Sequence, residues 1–310
     1  MAKQADIKLR AFIITQNSSI TQESADILPE LTDKLSATAA KDRMLKRSSE
    51  KEDKEHDLVS SAEFDNNTIF GVMLRVELDS TSPQVPNNLL EFNSFSLSDL
   101  KDEDKKNTIY KNHYYFCINN THLVTTLSGN TTIIGYQTYI NWLLNSATQQ
   151  YEITPLCKST PEVKLSDIKE IVFEDDSILL SHNRQSKTVA EDTSDKIYNI
   201  ALDGIKHILS DTIDLDDEEI KRVVSARLLL KLKKPRGMSE EEYRKKFGAI
   251  LKPVSDTDHL HYVSKQGQRL KADTVAVTKN ITVETTGRGF LVEEQLRQSM
   301  IQFLNEQKKP

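Results

Sequence analysis

Apolar and polar positions along this chain alternate with two different periods, and the period changes from segment to segment. IKLRAFIIT (7–15) and TIFGVMLRVEL (68–78) are dense in aliphatic and aromatic residues over short runs, which predicts strands. NHYYFCINNTHLVTTLSGN (112–130) holds two such runs around Asn119–Asn120, the pattern of a hairpin. YEITPLC (151–157), IKEIVFED (168–175) and the last residues of DLDDEEIKRVVSARLLLKLK add strands. HLHYVSKQGQRLKADTVAVT reads as a strand pair turning at Gln266–Gly267.

Helical spacing replaces alternation elsewhere. Ile27–Leu35 predicts a helix extending as far as Leu45. GYQTYINWLLNS (135–146) places Tyr139, Trp142 and Leu143 on one face, and IYNIALDGIKHILSDT (197–212) is amphipathic. FLVEEQLRQSMIQFLNEQ (290–307) closes the chain with an apolar stripe of Leu291, Leu296, Met300, Phe303 and Leu304. SEEEYRKKFG carries its own end signals. Ser239 can cap the amide of Glu242 while Glu242 reaches back, and Gly248 supplies the stop. Residues 46–66 have little to bury and predict a mobile loop or frayed helix end. Residues 80–88 are a break rich in proline and turn formers, and 181–195 a polar connection.

The expected fold is α+β, in two domains, with antiparallel or mixed sheets and flanking helices. Residues 1–157 form an N-terminal α+β globular domain, and 158–283 a second α+β domain. Residues 284–310 form a helix that packs back on the globular domain or on a dimer partner. The 310 residues fit two domains. No run approaches the ~18 apolar residues of a membrane span. The start lacks the apolar block of a signal peptide. Cys117 and Cys157 have no C-x-x-C spacing and read as reduced core thiols, so a cytoplasmic protein is expected.

Charge alters this picture. Between residues 221 and 271 there are fourteen Lys and Arg against five acids, a balance of +9 that leaves −15 elsewhere in a chain of net charge −6. Such asymmetry is the footprint of a polyanion partner. In ARLLLKLKK, Arg227, Leu229, Lys231 and Lys233 alternate with Leu228, Leu230 and Leu232. One strand face is therefore largely cationic and the other apolar, and Lys234 and Arg236 occupy the following turn. Arg244, Lys245 and Lys246 also complement a helix dipole, whereas the strand cations have no such local reason. With Lys265, Arg269 and Lys271, these residues are the candidate DNA-binding set.

Catalytic chemistry finds less support. Glu219-Ile220-Lys221, with Asp211, Asp214 and Asp216 upstream, spells half of a metal-dependent nuclease core, but DLDDEEIKR reads as acids opening a helix. His259 and His261 share a strand face without a third ligand, so a solvent-facing or DNA-facing role is favoured over a metal. Gly287-Arg288-Gly289 before the last helix reads as a flexible joint. No catalytic, cofactor or metal residue is assigned.

The middle of the chain resembles the RexA family, the DNA-binding component of the lambda-type phage exclusion system. HLVTTLSGNTTIIGYQTYINWLLNSATQQYEITPLCKSTPEVKLSDI follows that family's order of strand, glycine turn, helix, and strand ending in a Pro-Leu pair. ARLLLKLKKPRGMSEEEYRKKFG and HYVSKQGQRLKA correspond to its basic strand, Lys/Arg-rich helix and late hairpin. The likeness covers residues 120–307 by element order. The N-terminal half is longer than the family pattern, at 46–66 and 80–108. The resemblance implies a homodimer that binds double-stranded DNA with little sequence preference, an RdgC-like architecture with a swivelling second domain, and a membrane channel or other effector as partner. The resulting expectation is a non-catalytic DNA sensor of phage exclusion, antiviral defence or abortive infection. A metal-dependent nuclease is the main alternative, and a protein-binding regulator the third.

Overall fold

A computed structural model describes residues 3–16, 26–46, 55–65, 67–77, 87–97, 113–127, 133–144, 151–159, 163–174, 227–251, 260–271, 274–286 and 290–307. The α+β class holds, and every strand pair among the described residues is antiparallel. Two compact units emerge: residues 1–155 with 277–310, and residues 156–276. The second unit is thus inserted into the first. Residues 277–283, expected in the second domain, belong to the first, because the strand they enter pairs with the first strand of the chain.

Among the described residues the first unit is an eight-stranded sheet with its helices. Its strands are β1 (Lys3–Gln16), β2 (Leu45–Lys46), β3 (Glu55–Asp65), β4 (Thr68–Glu77), β5 (His113–Ile118), β6 (His122–Thr125), β7 (Tyr151–Pro155) and β12 (Thr278–Thr285). The order is β12-β1-β6-β5-β4-β3-β2, and β7 also pairs with β1. On one face α1 (Ile27–Ala37) and α2 (Ile133–Leu143) bury Ile27, Leu31, Leu35, Ile133, Tyr136, Tyr139 and Ile140 against Phe12, Val59, Met73, Phe116 and Ile153. Residues of opposite parity, such as Tyr115 and Cys117, turn to the other face, where α4 (Glu293–Glu306) packs against β5, β6 and β12. Leu296, Met300, Phe303 and Leu304 of α4 are buried as its stripe requires, whereas Leu291 lies before the helix and bridges to Thr285.

Local chemistry explains several of these elements. The Asn119 side-chain oxygen accepts from the amides of Thr121 (2.9 Å) and His122 (2.7 Å), which closes the β5–β6 hairpin where the sequence places its turn. The next residue, Asn120, accepts from the Leu28 amide at 3.2 Å and so caps α1, whose own preceding residue Asp26 makes no side-chain cap. In α2, Gln137 accepts from the Ile153 amide, and Asn141 exchanges two bonds with the backbone of Tyr151. These carboxamides occupy backbone groups along β7, which among the described strands pairs with β1 alone.

The structure corrects several expectations. Residues 55–65 form a full strand rather than a mobile loop or frayed helix end. Its buried stretch contains Asp57 and Ser60, so the polar letters hide the alternation. The first helix stops at Ala37, and a 3-10 turn at Ala40–Arg43 follows. The strand β12 has no counterpart in the sequence reading. Trp142 is 38% exposed, so only Tyr139 and Leu143 of the expected trio face the core. The expected helix at 197–212, the 181–195 connection and Gly287–Gly289 lie outside the described residues.

Candidate nucleic-acid interface

Among the described residues the second unit is built on a four-stranded sheet in the order β11-β10-β8-β9. The strands are β8 (Ile168–Glu174), β9 (Arg227–Lys231), β10 (Leu260–Ser264) and β11 (Arg269–Lys271), and one helix, α3 (Glu240–Leu251), covers a face of the unit's core. Tyr243, Phe247 and Leu251 of α3 join Ile168, Ile171 and Tyr262 in a cluster that Leu230, Leu232 and Leu270 pack against. The apolar side of the basic strand therefore faces this core, as its alternation requires. The helix opens with the expected reciprocal cap. Ser239 Oγ accepts from the Glu242 amide at 3.1 Å, and Glu242 Oε2 accepts from the Ser239 amide at 3.1 Å. Gly248 does not end it; the helix continues over a buried Gly248 to Leu251.

Two glycine turns shape the ends of the strands. Gly237 (φ 83°) follows Arg236, and the Met238 amide donates to the Pro235 carbonyl at 3.3 Å, a turn that needs a left-handed residue in its third position. Gly267 (φ 82°) donates to the Ser264 carbonyl while the Ser264 amide donates to Gln268, so the β10–β11 hairpin closes with its left-handed residue at glycine.

Both turns lie at the same end of the sheet. The Leu232 amide donates to the Lys169 carbonyl at 2.7 Å, and the Lys265 amide donates to the Asp167 carbonyl at 2.8 Å. The start of β8 thus lies between the exit of β9 and the exit of β10. Exposed Lys231, Lys233, Lys265 and Arg269 collect along this rim. Lys169 joins them with a half-exposed side chain, and the sequence reading missed it. Its only signal is its position at the start of a strand, which means nothing until the register is known. Among the described strands β9 and β11 are the outer two, three strand spacings or about 14 Å apart, so the rim runs across all four.

Other candidates fall elsewhere. Lys234 donates to Glu240 at 2.7 Å and lies 5.8 Å from the Tyr243 ring centroid, so its charge already has partners. Arg236 is exposed in the turn after β9, and Lys271 lies two residues along β11 from Arg269. Lys245 and Lys246 are exposed on α3, with Lys245 3.9 Å from Glu241, while Arg244 is half-buried. The helix therefore carries its cations on a layer separate from the strand face that bears Lys231. Arg227 opens β9 opposite Glu174 in register, and Lys231 lies opposite Glu170. The register thus sets an acid of β8 opposite each of these two cations of β9. Near the middle of their sheet face Val172 is 0% and His261 6% exposed, so His261 is a core residue and not solvent-facing or DNA-facing.

Burial pushes the Cys117 and Cys157 thiols up to about 12, which removes the thiolate that nucleophilic or redox chemistry needs. Among the described residues, no group of three or more His, Cys, Asp and Glu is placed to hold a metal ion. No helix among them is long and apolar enough to cross a membrane. His259, Lys221, Glu219 and the aspartates at 211, 214 and 216 lie outside the described residues. The rim can make several charge-assisted contacts to phosphates without reading bases. No protein-family model matches the chain, and no curated protein matches it in sequence.

Proposed function

We propose that this chain is a non-catalytic, largely sequence-independent double-stranded DNA-binding protein. It acts in the cytoplasm as a RexA-like sensor of phage exclusion, homodimeric and signalling to an effector. The observation that carries the DNA reading is the collection of Lys169, Lys231, Lys233, Lys265 and Arg269 at one end of the second sheet. These residues come from four strands or their turns, and local helix capping requires none of them. The biological setting rests on the resemblance of residues 120–307 in element order.

The test is binding of duplexes of unrelated sequence across a salt series. Five phosphate contacts give a log–log slope of about −4.5, with similar affinity for each duplex. A flat response removes the electrostatic reading. Plasmid incubated with the protein and Mg²⁺ or Mn²⁺ stays intact on this reading, and cutting would overturn the non-catalytic assignment.

A further inference from the structure

We propose that Glu170 restrains polyanion binding at the rim, so that the interface holds DNA more weakly than its cations alone would. The inference rests on the DNA-binding reading above and assigns one of its residues a regulatory role. The register places Glu170 directly across from Lys231 on one side and from Val263 on the other, and Val263 in turn faces Arg269. One row of the sheet therefore runs Arg269, Val263, Glu170, Lys231. Alternation puts all four on the face opposite Ile171, Tyr262, Leu230 and Leu270. Within that row Glu170 is the sole acid.

Its carboxylate is placed to act on its neighbours. The Glu170 side chain is 14% exposed, and its carboxylate lies 3.3 Å from the Lys169 ammonium. Directly opposed residues in an antiparallel pair have Cβ atoms about 5 Å apart, so Lys231 is the cation next to Glu170 across the sheet. A phosphate approaching Lys169 must compete with Glu170 for the ammonium, and one approaching Lys231 is repelled by the same charge. Partial burial keeps that charge from being fully screened. A unit charge about 7 Å from a bound phosphate, near a protein surface, changes affinity several-fold.

Glu170→Gln keeps the size and hydrogen-bonding ends of the side chain and removes the charge. It is measured beside wild type, Glu170→Asp, and Glu91→Gln, which removes an exposed charge of the first unit. The probe is a short duplex of arbitrary sequence, titrated at low and moderate salt, with melting curves for each variant. Glu170→Gln tightens binding by about three- to tenfold at low salt and steepens the salt slope by about one contact. Glu170→Asp, which keeps the charge, stays near wild type, and Glu91→Gln changes affinity less than about twofold. Equal or weaker binding by a folded Glu170→Gln overturns the restraint while leaving the DNA reading intact. So does an equal gain in Glu91→Gln, which would make the effect one of net charge. Absence of binding by wild type and Glu170→Gln alike overturns both.

Discussion

Arg43 has 0% exposure and no carboxylate partner among the described residues, yet every arm of its guanidinium is used. Nε donates to the Val59 carbonyl and Nη1 to the Leu35 carbonyl, each at 2.8 Å, and Nη2 donates to the carbonyls of Ser60 and Asn93. The register of β3 against β4 slips between Val59 and Ser61, and such a bulge frees backbone groups that need other partners. Arg43 takes two of the carbonyls. The Tyr139 hydroxyl accepts from the Val59 amide at 3.0 Å and donates to the Arg43 carbonyl at 2.9 Å. Arg43→Met strands several buried carbonyls at about 1–3 kcal/mol each, so a loss of at least about 3 kcal/mol is expected in urea unfolding. Opposite the bulge, a Cβ on Gly71 would lie 2.5 Å from the Phe116 ring and 2.8 Å from the Ser61 carbonyl oxygen. Gly71→Ala is therefore destabilising by about 1–3 kcal/mol. None of this is legible in the sequence. Nothing local marks Arg43, because its acceptors come from several separate segments of the chain.

At the scale of elements, the reciprocal cap of α3 was legible because all its atoms lie within four consecutive residues. The Ser239 amide and hydroxyl hold the Glu242 carboxyl below the usual carboxylate range. A depressed carboxyl stabilises the fold above its unfolded value, and the contribution disappears as pH falls through the folded value. Ser239→Ala should thus lower the melting temperature at neutral pH, by the loss of a cap worth about 1 kcal/mol. The difference from wild type should shrink as the solution is acidified below the carboxylate range. A constant difference at every pH would show that the Ser239 hydroxyl does not act on the Glu242 carboxyl. The turns at Asn119 and Gly267 were legible for the same local reason. Gly248 misled, since a glycine stop inferred from a motif is overridden when Leu251 has a core to enter.

For the whole molecule, the second unit separates two kinds of cation that are contiguous in the sequence. Lys233→Glu with Lys265→Glu should weaken duplex binding strongly, because both residues lie on the rim. Lys245→Glu with Lys246→Glu should weaken it much less, although the change in net charge is the same. Equal losses in gel-shift titrations would mean that only overall charge matters. The proposed homodimer is checked by light scattering at micromolar concentration, with and without DNA, where a monomeric mass in both conditions removes it.

By itself, the sequence determined the α+β class, the position of most strands and helices, the local caps and turns, and the charge asymmetry. Each depends on residues within a few positions of one another, so propensity and periodicity suffice. Tertiary structure alone decided what those elements meet. β12 pairs with β1 across nearly the whole chain, Lys3 opposite Thr285, and so returns the last segment to the first unit. Such pairing is set by burial between distant segments, and no local window contains it. The same is true of Glu170. Its acid and the lysine it faces lie on strands far apart in sequence, and only the register of β8 against β9 brings them into one row.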